Sequence, residues 1–508
     1  MTQEQKPKAR VPWLVSLRLL TRTLERRVRP GTVRVSVPSL RPGQDVPDAL
    51  DPSDPHLVST LNQITERLEE QRRALGIPGL SAAIVYNQDV IWAHGFGVAR
   101  CDSRTPADEH TIYHQQSIGK LFTTTMMMQL RDRGAICLDD PVEQYLPQFG
   151  IRWRFGDRPR ITFRHLASHT SGLPMEAPLE YVTSTQFPSI EAVLQSLEDN
   201  HLLAPPMKTF KYSNLGFAIL GHALETVAGQ SYKEYILTHI LQPLGMTSSG
   251  FDMRAETSQQ VSVGYVPGPG EEAPEVGRVV DAGAFVPAGG LWASVMDMAK
   301  FISLQFRDGP TEGDQILRGT TLREMHAPLM FIDADWREAI AIGGVLGRVA
   351  GWGGLMAAGG GDGFTSMVAY LPELKLGMAL SMNIGVNPAP LVVGALEKLL
   401  PVVTQIQARV QLARNPMGAE ALQKYAGHYS WPGVSELDVR ISNEGLVMET
   451  QLSGGEFPVT HVGEHAFLME GGRLAGELAV FDVDDAGQVI RLWIGNYPMD
   501  RRTPKQRS

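Results

Sequence analysis

The chain contains little cysteine and no excess of positive charge, and both absences limit what it can be. Only Cys101 and Cys137 occur among 508 residues, which argues against a disulfide framework and a cysteine-based zinc site. Two thiols in so long a chain favour a reducing compartment, so we expect a cytoplasmic protein. The formal net charge of −9 disfavours nucleic acid as a main partner, because nucleic-acid-binding proteins usually present a basic field.

Long hydrophobic runs are also absent. Outside the N-terminus no run of about 18 apolar residues occurs, so we expect no membrane span. The N-terminal segment, residues 1–55, is basic and rich in proline, but Arg18 interrupts its apolar stretch and no small-residue cleavage site follows. It therefore does not have the pattern of a secretory signal. We interpret it as a solvated basic arm, and a contact with a membrane surface or a docking role is the alternative.

The length predicts two or more domains, because single cores rarely exceed about 300 residues. In residues 56–400, strand-like segments lie near both ends and helical segments lie between them. This order predicts an antiparallel sheet completed by both ends of the domain, with a helical insertion, so the expected class is α/β of the α+β type. Residues 401–420 form a polar helical connector, and 421–508 alternate short apolar runs with turns, which predicts a small β-sandwich or β-barrel.

A serine and a lysine lie three residues apart at the start of an apolar helical segment, "SIGKLFTTTMMMQLRDRG". Ser117 and Lys120 therefore share one helix face. A serine at a helix N-terminus can attack a carbonyl while its own N–H faces the developing oxyanion. A buried lysine has its ammonium form disfavoured and can take the serine proton. This spacing is common by chance on helix surfaces, so it carries little weight alone.

A second polar group precedes another apolar helix, in "FKYSNLGFAILGHAL". Tyr212 is suited to relaying a proton, and Asn214 to holding an amide or carbonyl group. The alternative is structural: Ser213 or Asn214 caps the helix and Tyr212 packs.

Taken together, these segments resemble the serine β-lactamase-like family over residues 57–400. This family includes penicillin-binding proteins, class C β-lactamases, family VIII carboxylesterases and D-aminopeptidases. The resemblance rests on four segments in the same order: "SIGKLFTTTMMMQLRDRGAICLDDPVEQYLP", "ITFRHLASHTSGLP", "FKYSNLGFAILGHALETVAGQSYKEYILTHILQPLGM" and "PAGGLWASVMDMAKFI".

The resemblance implies a β-lactamase/transpeptidase-like fold, with an antiparallel sheet flanked by helices and an all-α subdomain beside it. It also implies Ser117 as the acylated nucleophile, Lys120 and Tyr212 as the proton-handling pair, and Asn214 as a substrate-positioning side chain. No cofactor is implied. The C-terminal β region resembles the lipocalin-like barrels that follow the catalytic domain in D-aminopeptidases and some esterases.

A third family motif, usually Lys-Thr-Gly or His-x-Gly, lies on a strand that borders the site. In "GWGGLMAAGGGDGF", Gly363–Phe364 and Pro372 fix its register, so the basic position falls at Ala357 and the glycine at Gly359. The N–H of Gly360 is then the second oxyanion donor beside that of Ser117. A rival register uses Trp352–Gly354.

The missing cation bears on the substrate. Losing a charge-assisted hydrogen bond costs about 1.5–3 kcal/mol, which lowers the expectation of activity on β-lactams or D-Ala-D-Ala ends. Arg348 is a candidate for a replacement charge. We expect a serine hydrolase that acts through an acyl-enzyme on a small-molecule ester or a peptide-like amide, with carboxylesterase activity favoured. A D-aminopeptidase or other peptidase-type amide hydrolase and an acyltransferase are the alternatives of the same fold. A non-catalytic scaffold that keeps the fold is the alternative of another class.

Other chemistries have weaker support. His165 and His169 have i, i+4 spacing, but no HExxH pattern accompanies them, so we expect no metal site. No G-x-S-x-G elbow occurs, which disfavours an α/β-hydrolase. No GK[ST] follows "GGGDGF", so a phosphate-binding loop is not expected.

Overall fold

The computed structural model describes residues 49–502, except 157–159, 199, 254–257, 267–274, 312, 336, 415–417, 433–434, 443–444, 451–454, 464, 471–473, 475–476, 485 and 495–496. The predicted basic arm therefore lies almost entirely outside the described residues. Two compact units divide the described chain, one spanning Asp51–Leu400 and the other beginning at Pro401.

The first unit is built on an antiparallel sheet of nine strands within the described residues, in the order β3-β2-β1-β13-β12-β11-β10-β9-β8. Two pairs of short strands, β4 with β7 and β5 with β6, lie apart from it. The strands are β1 (Gly79–Tyr86), β2 (Asp89–Arg100), β3 (Thr105–Pro106), β4 (Ile112–His114), β5 (Tyr265–Val266), β6 (Glu275–Val276), β7 (Trp292–Ser294), β8 (Met330–Phe331), β9 (Ala339–Ile340), β10 (Val345–Val349), β11 (Trp352–Gly361), β12 (Phe364–Leu371) and β13 (Leu376–Met382).

The centre of this sheet joins the two ends of the unit, as predicted. β1 pairs with β13, with Leu80 opposite Met382 and Tyr86 opposite Leu376. Every residue of β1, β12 and β13 is buried, so both faces of the sheet centre are covered by protein. These strands are consequently continuous apolar runs without the alternation of a half-exposed strand.

Most of the helices lie between the two strand groups in sequence, and the first and last helices lie before and after them. The helices are α1 (Pro55–Ala74), α2 (Gly119–Asp132), α3 (Phe163–Ala167), α4 (Ile190–Leu197), α5 (Asn214–Ala228), α6 (Tyr232–Ile236), α7 (Val286–Gly289), α8 (Val295–Leu304), α9 (Gly319–Met325) and α10 (Ala389–Arg414). A π-helical turn, Leu237–Leu241, extends α6. The mixed α/β fold with an antiparallel sheet and a helical region confirms the predicted fold class.

Helix α2 lies in the core of the unit. All its residues from Gly119 to Leu130 are buried, including the run Met126–Met128. Gly134, two residues after the helix, adopts the left-handed conformation (φ 75°) that terminates helices at low cost. Lys120 and the buried polar residues of α2 are therefore shielded from solvent by the surrounding protein.

The second unit is a closed eight-stranded barrel within the described residues. Of the two predicted forms, a β-sandwich or a β-barrel, the structure has the barrel. A short helix α11 (Ala419–Leu422) precedes it. Its strands are β14 (Gly427–Trp431), β15 (Ser435–Ser442), β16 (Gly445–Thr450), β17 (Gly455–Gly463), β18 (Ala466–Met469), β19 (Leu478–Val483), β20 (Val489–Ile494) and β21 (Tyr497–Arg502). Alternate residues such as Leu437 and Val439 of β15 point into one apolar core, which fills the barrel.

One described helix is long and apolar enough to cross a membrane by length and composition alone. It is the Ala389–Gln407 part of α10, and 61% of its apolar window is buried within the protein. A buried apolar surface of this kind is typical of a core helix.

Candidate active site

The candidate nucleophile lies at the entrance to α2. Ser117 belongs to a 3-10 turn, Gln116–Ile118, that leads into the helix, whereas the sequence placed it within the first α-helical turn. Such turns are frequent at helix N-termini and leave the same N–H groups unpaired. Lys120 follows one turn later, and its Nζ lies 3.1 Å from Ser117 Oγ. The predicted Ser–Lys contact is therefore present in the structure.

Lys120 is held by two further oxygens. Its Nζ donates to Asn214 Oδ1 at 2.8 Å and to the carbonyl of Ala288 at 2.6 Å. Both oxygens can only accept, so they occupy two N–H groups and leave the third position of Nζ facing Ser117. Burial lowers the pKa of Lys120 to about 7, against the attraction of Glu176. A substantial neutral fraction at neutral pH can thus direct its lone pair at the serine hydroxyl.

Tyr212 contacts the nucleophile from the other side. Its hydroxyl donates to Ser117 Oγ at 2.8 Å. Burial raises the pKa of Tyr212 well above its usual range, so the phenol stays protonated at neutral pH. Lys120 Nζ also lies 4.9 Å from the centre of the Tyr212 ring. Of the two groups beside Ser117, Lys120 is therefore the available base and Tyr212 a proton donor.

The start of α5 fixes the position of Tyr212. Ser213 is the N-cap of this helix and accepts from Gly216 N–H at 2.8 Å, so the capping role falls to Ser213. Its own N–H donates to Nδ1 of His169 at 3.1 Å. Burial lowers the pKa of His169 well below its usual value, which keeps the ring neutral and able to accept.

Asn214, the first residue of α5, is bonded through both ends of its amide. The oxygen accepts from Lys120, and Nδ2 donates to Glu176 Oε1 at 2.6 Å. The sequence analysis predicted a substrate-positioning role for Asn214. In this structure its amide connects Lys120 to a carboxylate that the sequence analysis did not select, and that carboxylate also accepts from Tyr181 at 2.7 Å.

Strand β11 approaches the nucleophile with backbone only. A Cβ on Gly359 would lie 2.3 Å from the Gln115 carbonyl oxygen and 2.8 Å from Ser117 N, so only glycine fits there. At Gly360 a Cβ would meet nothing closer than 4.0 Å. Because Gly359 is the residue beside Ser117, the geometry favours the register that puts Ala357 at the basic position.

The rival motif position, Trp352–Gly354 on β11, and the candidate replacement charge, Arg348 on β10, both lie away from Ser117. Gly354 is five residues before Gly359, which corresponds to about 16 Å in a strand. Arg348 pairs with Gly353, and its guanidinium donates to the carbonyl of Gly351 at 3.0 Å, in the turn between β10 and β11. Arg348 is thus poorly placed to substitute for a cation at Ala357.

Gln116 is a second residue that the sequence analysis did not select. Its Nε2 lies 2.6 Å from His114 Nδ1 and donates to the carbonyl of Gly361 at 2.9 Å. Burial lowers the pKa of His114 to about 4, so the neutral ring can accept. Gln116 has φ 53°, an uncommon conformation for a residue with a side chain. Its amide ties the end of β11 to the turn that carries Ser117.

His165 and His169, considered above as a metal pair, accept hydrogen bonds from backbone N–H groups. His165 Nδ1 accepts from Thr162 N–H at 3.2 Å in the capping box of α3, and His169 accepts from Ser213 as above. Within the described residues, no group of three His, Cys, Asp or Glu side chains is arranged to hold a metal ion.

Comparison with known proteins places the chain in a family. The family model named beta-lactamase matches residues 65–400. The chain is 29% identical over 377 residues to "Beta-lactamase-like protein 2" of Dictyostelium discoideum, covering 72% of this chain and 67% of that protein.

Two solved structures illustrate the structural similarity. The octameric penicillin-binding protein homologue from Pyrococcus abyssi is 26% identical, with a TM-score of 0.59 over 86% of this chain and 99% of that one. EstCE1, described as a hydrolase with promiscuous acyltransferase activity, is 22% identical, with a TM-score of 0.56 over 68% of this chain and 100% of that one. Because the family model accounts for more than half of its length, the chain belongs to the beta-lactamase family.

Proposed function

We propose that this protein is a serine hydrolase that cleaves an ester or a peptide-like amide through an acyl-enzyme on Ser117, with esters preferred. The observation that carries this proposal is the convergence of a lysine amine and a tyrosine hydroxyl on one serine oxygen, at 3.1 Å and 2.8 Å. These separations are within the range that proton transfer requires.

The first step is acylation. Neutral Lys120 takes the proton of Ser117 Oγ as this oxygen bonds to the substrate carbonyl carbon, and the carbonyl oxygen becomes an oxyanion. The N–H groups of Ser117 and Gly360 stabilise that charge. When the tetrahedral intermediate collapses, the bond to the leaving group breaks. Tyr212 donates a proton to the departing oxygen or nitrogen and regains one from the Lys120 ammonium, which leaves both groups as they began.

The second step is deacylation. Lys120 and Tyr212 activate a water molecule, which attacks the acyl carbon, and Ser117 recovers its proton as the acid is released. An alcohol or amine that reaches the acyl-enzyme before water gives acyl transfer instead. The acyltransferase activity described for EstCE1 makes this the second activity to assay.

Substrate preference follows from β11. Ala357 leaves the strand without the cation that would bind a carboxylate beside the scissile bond. A charge-assisted hydrogen bond contributes about 1.5–3 kcal/mol, so substrates with that carboxylate lose their usual advantage. Simple esters, and amides without a terminal carboxylate, depend less on this contact.

The competing proposal is a binding protein that keeps the fold without turnover, motivated by the same departure at Ala357. A fluorophosphonate probe and short p-nitrophenyl esters distinguish the two when they are applied to the wild type and to Ser117→Ala. The hydrolase predicts a mass adduct and ester turnover that both disappear in the variant. A wild type that neither labels at Ser117 nor turns over any ester contradicts the hydrolase and supports the binding protein.

A further inference from the structure

A carboxylate lies one side chain away from the reacting groups. Glu176 follows the segment "HTSGLP" and is partly buried, and its two oxygens accept from Asn214 Nδ2 at 2.6 Å and from Tyr181 at 2.7 Å. Asn214 in turn contacts Lys120 at 2.8 Å. Glu176 is thus connected to the nucleophile through Asn214 and Lys120.

This carboxylate has hydrogen bonds but no ion pair. Both of its donors are neutral groups, and no cation of the described residues lies within ion-pair distance of its oxygens. Two carboxylate oxygens offer about four acceptor positions, so acceptor capacity remains. Burial disfavours the charged form of this carboxylate, and without a direct ion pair that cost is only partly offset; a cationic ligand in contact with it would offset more.

Strand β11, which borders the site on the side of Ser117, carries no positive charge near Glu176. Residues 357–360 of β11 are two alanines and two glycines, and the guanidinium of Arg348 is bonded in the turn at Gly351.

Two lysines, Lys120 and Lys211, attract the Glu176 carboxylate. Burial lowers the pKa of Lys120 to about 7, so its charge is partial at neutral pH. Neither lysine forms an ion pair with Glu176, so among the described residues a direct ion pair with this carboxylate remains open to a substrate cation.

We infer that Glu176 is a specificity-determining residue that selects substrates carrying an ammonium or other cationic group near the scissile bond and disfavours those carrying a carboxylate. This inference rests on the proposed function and adds a substrate class to it. The cation would displace water from Glu176 and bind beside Asn214 while the scissile carbonyl reaches Ser117.

The test compares substrates that differ in charge only. One series consists of p-nitrophenyl esters whose acyl chains have equal length and end in a methyl, ammonium or carboxylate group. A second series carries the charge in the alcohol, as a quaternary ammonium or its uncharged carbon isostere. Both are assayed as kcat/KM with the wild type, with Glu176→Gln and with Glu180→Gln, an exposed glutamate four residues away that serves as the matched control.

For at least one series, we expect the wild type to prefer the cationic over the neutral ester by about tenfold or more, the size of one charge-assisted hydrogen bond. Added salt should reduce this ratio, because salt screens charge attraction. Glu176→Gln keeps the shape and polar contacts, so the ratio should fall toward one, whereas Glu180→Gln should leave it unchanged. A role limited to supporting Asn214 would lower turnover of all esters alike and would not change the ratio.

Two outcomes overturn the inference while leaving the function intact. One is Ser117-dependent turnover with equal kcat/KM for cationic and neutral esters in both series. The other is a cationic preference that persists in Glu176→Gln. Absence of any Ser117-dependent turnover contradicts the proposed function itself, and the inference fails with it.

Discussion

The two sides of the candidate site are built by different means. On the helix side, side chains supply the proposed chemistry: Lys120 and Tyr212 each lie within 3.1 Å of Ser117 Oγ, and Lys120 is enclosed by protein. On the strand side, residues 357–360 have no polar side chain, and β11 contributes its backbone. In the proposed mechanism the proton-transferring side chains thus lie on the helix side, and the strand side contributes a backbone N–H and no cation.

Removing the base should have the largest effect. Lys120→Met and Lys120→Arg should each lower kcat/KM for esters by about 10³-fold or more, because Met cannot accept a proton and Arg does not lose its own. Exposed Lys208→Met is the control. The rate of fluorophosphonate labelling measures the reactivity of Ser117, and the melting temperature shows whether the variant is still folded. If Lys120→Arg kept a tenth of wild-type activity, the amine would not be the base.

The strand side is most sensitive at a single backbone position. Gly359→Ala should lower activity by about 10²-fold or more, because its Cβ would overlap the backbone at Gln115 and Ser117 and displace the strand from the nucleophile. Gly360→Ala adds the same methyl group where there is space, and it should retain most activity. Ester turnover and melting temperature for the pair provide the measurement. Equal effects in the two variants would contradict the assigned position of β11.

Gln116 connects the turn that carries Ser117 to the end of β11, and a substitution can remove this connection while both elements remain. Gln116→Gly releases the φ 53° conformation and deletes the amide that bonds Gly361. We expect acylation of Ser117 to slow by about tenfold or more while the melting temperature stays level or rises, since glycine adopts this conformation without cost. A purely structural role for Gln116 would move both quantities in the same direction. Undiminished acylation would show that Gln116 does not position the site.

The pH dependence tests the state of Lys120. The neutral amine is the active form, so kcat/KM should rise with pH through about 7 and fall about tenfold per unit below that value. Because the Glu176 carboxylate raises the pKa of Lys120, Glu176→Gln should shift the midpoint to lower pH. A midpoint near 10, the ordinary lysine range, would contradict the effect of burial. A shift to higher pH in the variant would contradict the coupling.

The smallest expected change comes from restoring a cation to the strand. Ala357→His should raise kcat/KM for carboxylate-bearing esters relative to neutral esters by up to about tenfold, as expected for one charge-assisted hydrogen bond. The measured quantity is the ratio of the two substrates, which cancels any general loss of activity. An equal change for both substrates would count against placing Ala357 at the basic position.

Side chains in recognisable motifs were predictable from the sequence. Ser117 and Lys120 share a helix face by spacing, and the resemblance of several ordered segments grouped them with Tyr212 and Asn214. The sheet was predictable because its strands are apolar runs bounded by turns. Each of these features depends on local sequence or on a pattern repeated along the chain.

The remaining parts of the site depend on contacts distant in sequence. The carbonyl of Ala288 holds Lys120, yet every residue has a carbonyl, so no residue type indicates this one. Gln116 acts on Gly361, 245 residues away, and Glu176 on Asn214, 38 residues away. A glutamine or glutamate in a loop has no local signature of such a partner. Only folding brings these groups together.

A serine hydrolase of the proposed kind carries an acyl group on Ser117 during turnover, and a rapid acid quench traps that species. The protein is mixed with a slowly deacylating p-nitrophenyl ester and acid-quenched within the burst of p-nitrophenol, and its mass and peptides are then measured. We expect a mass increase equal to the acyl group, located on Ser117 and absent in Ser117→Ala. Ester turnover with no adduct, or with the adduct on another residue, would contradict the proposed mechanism.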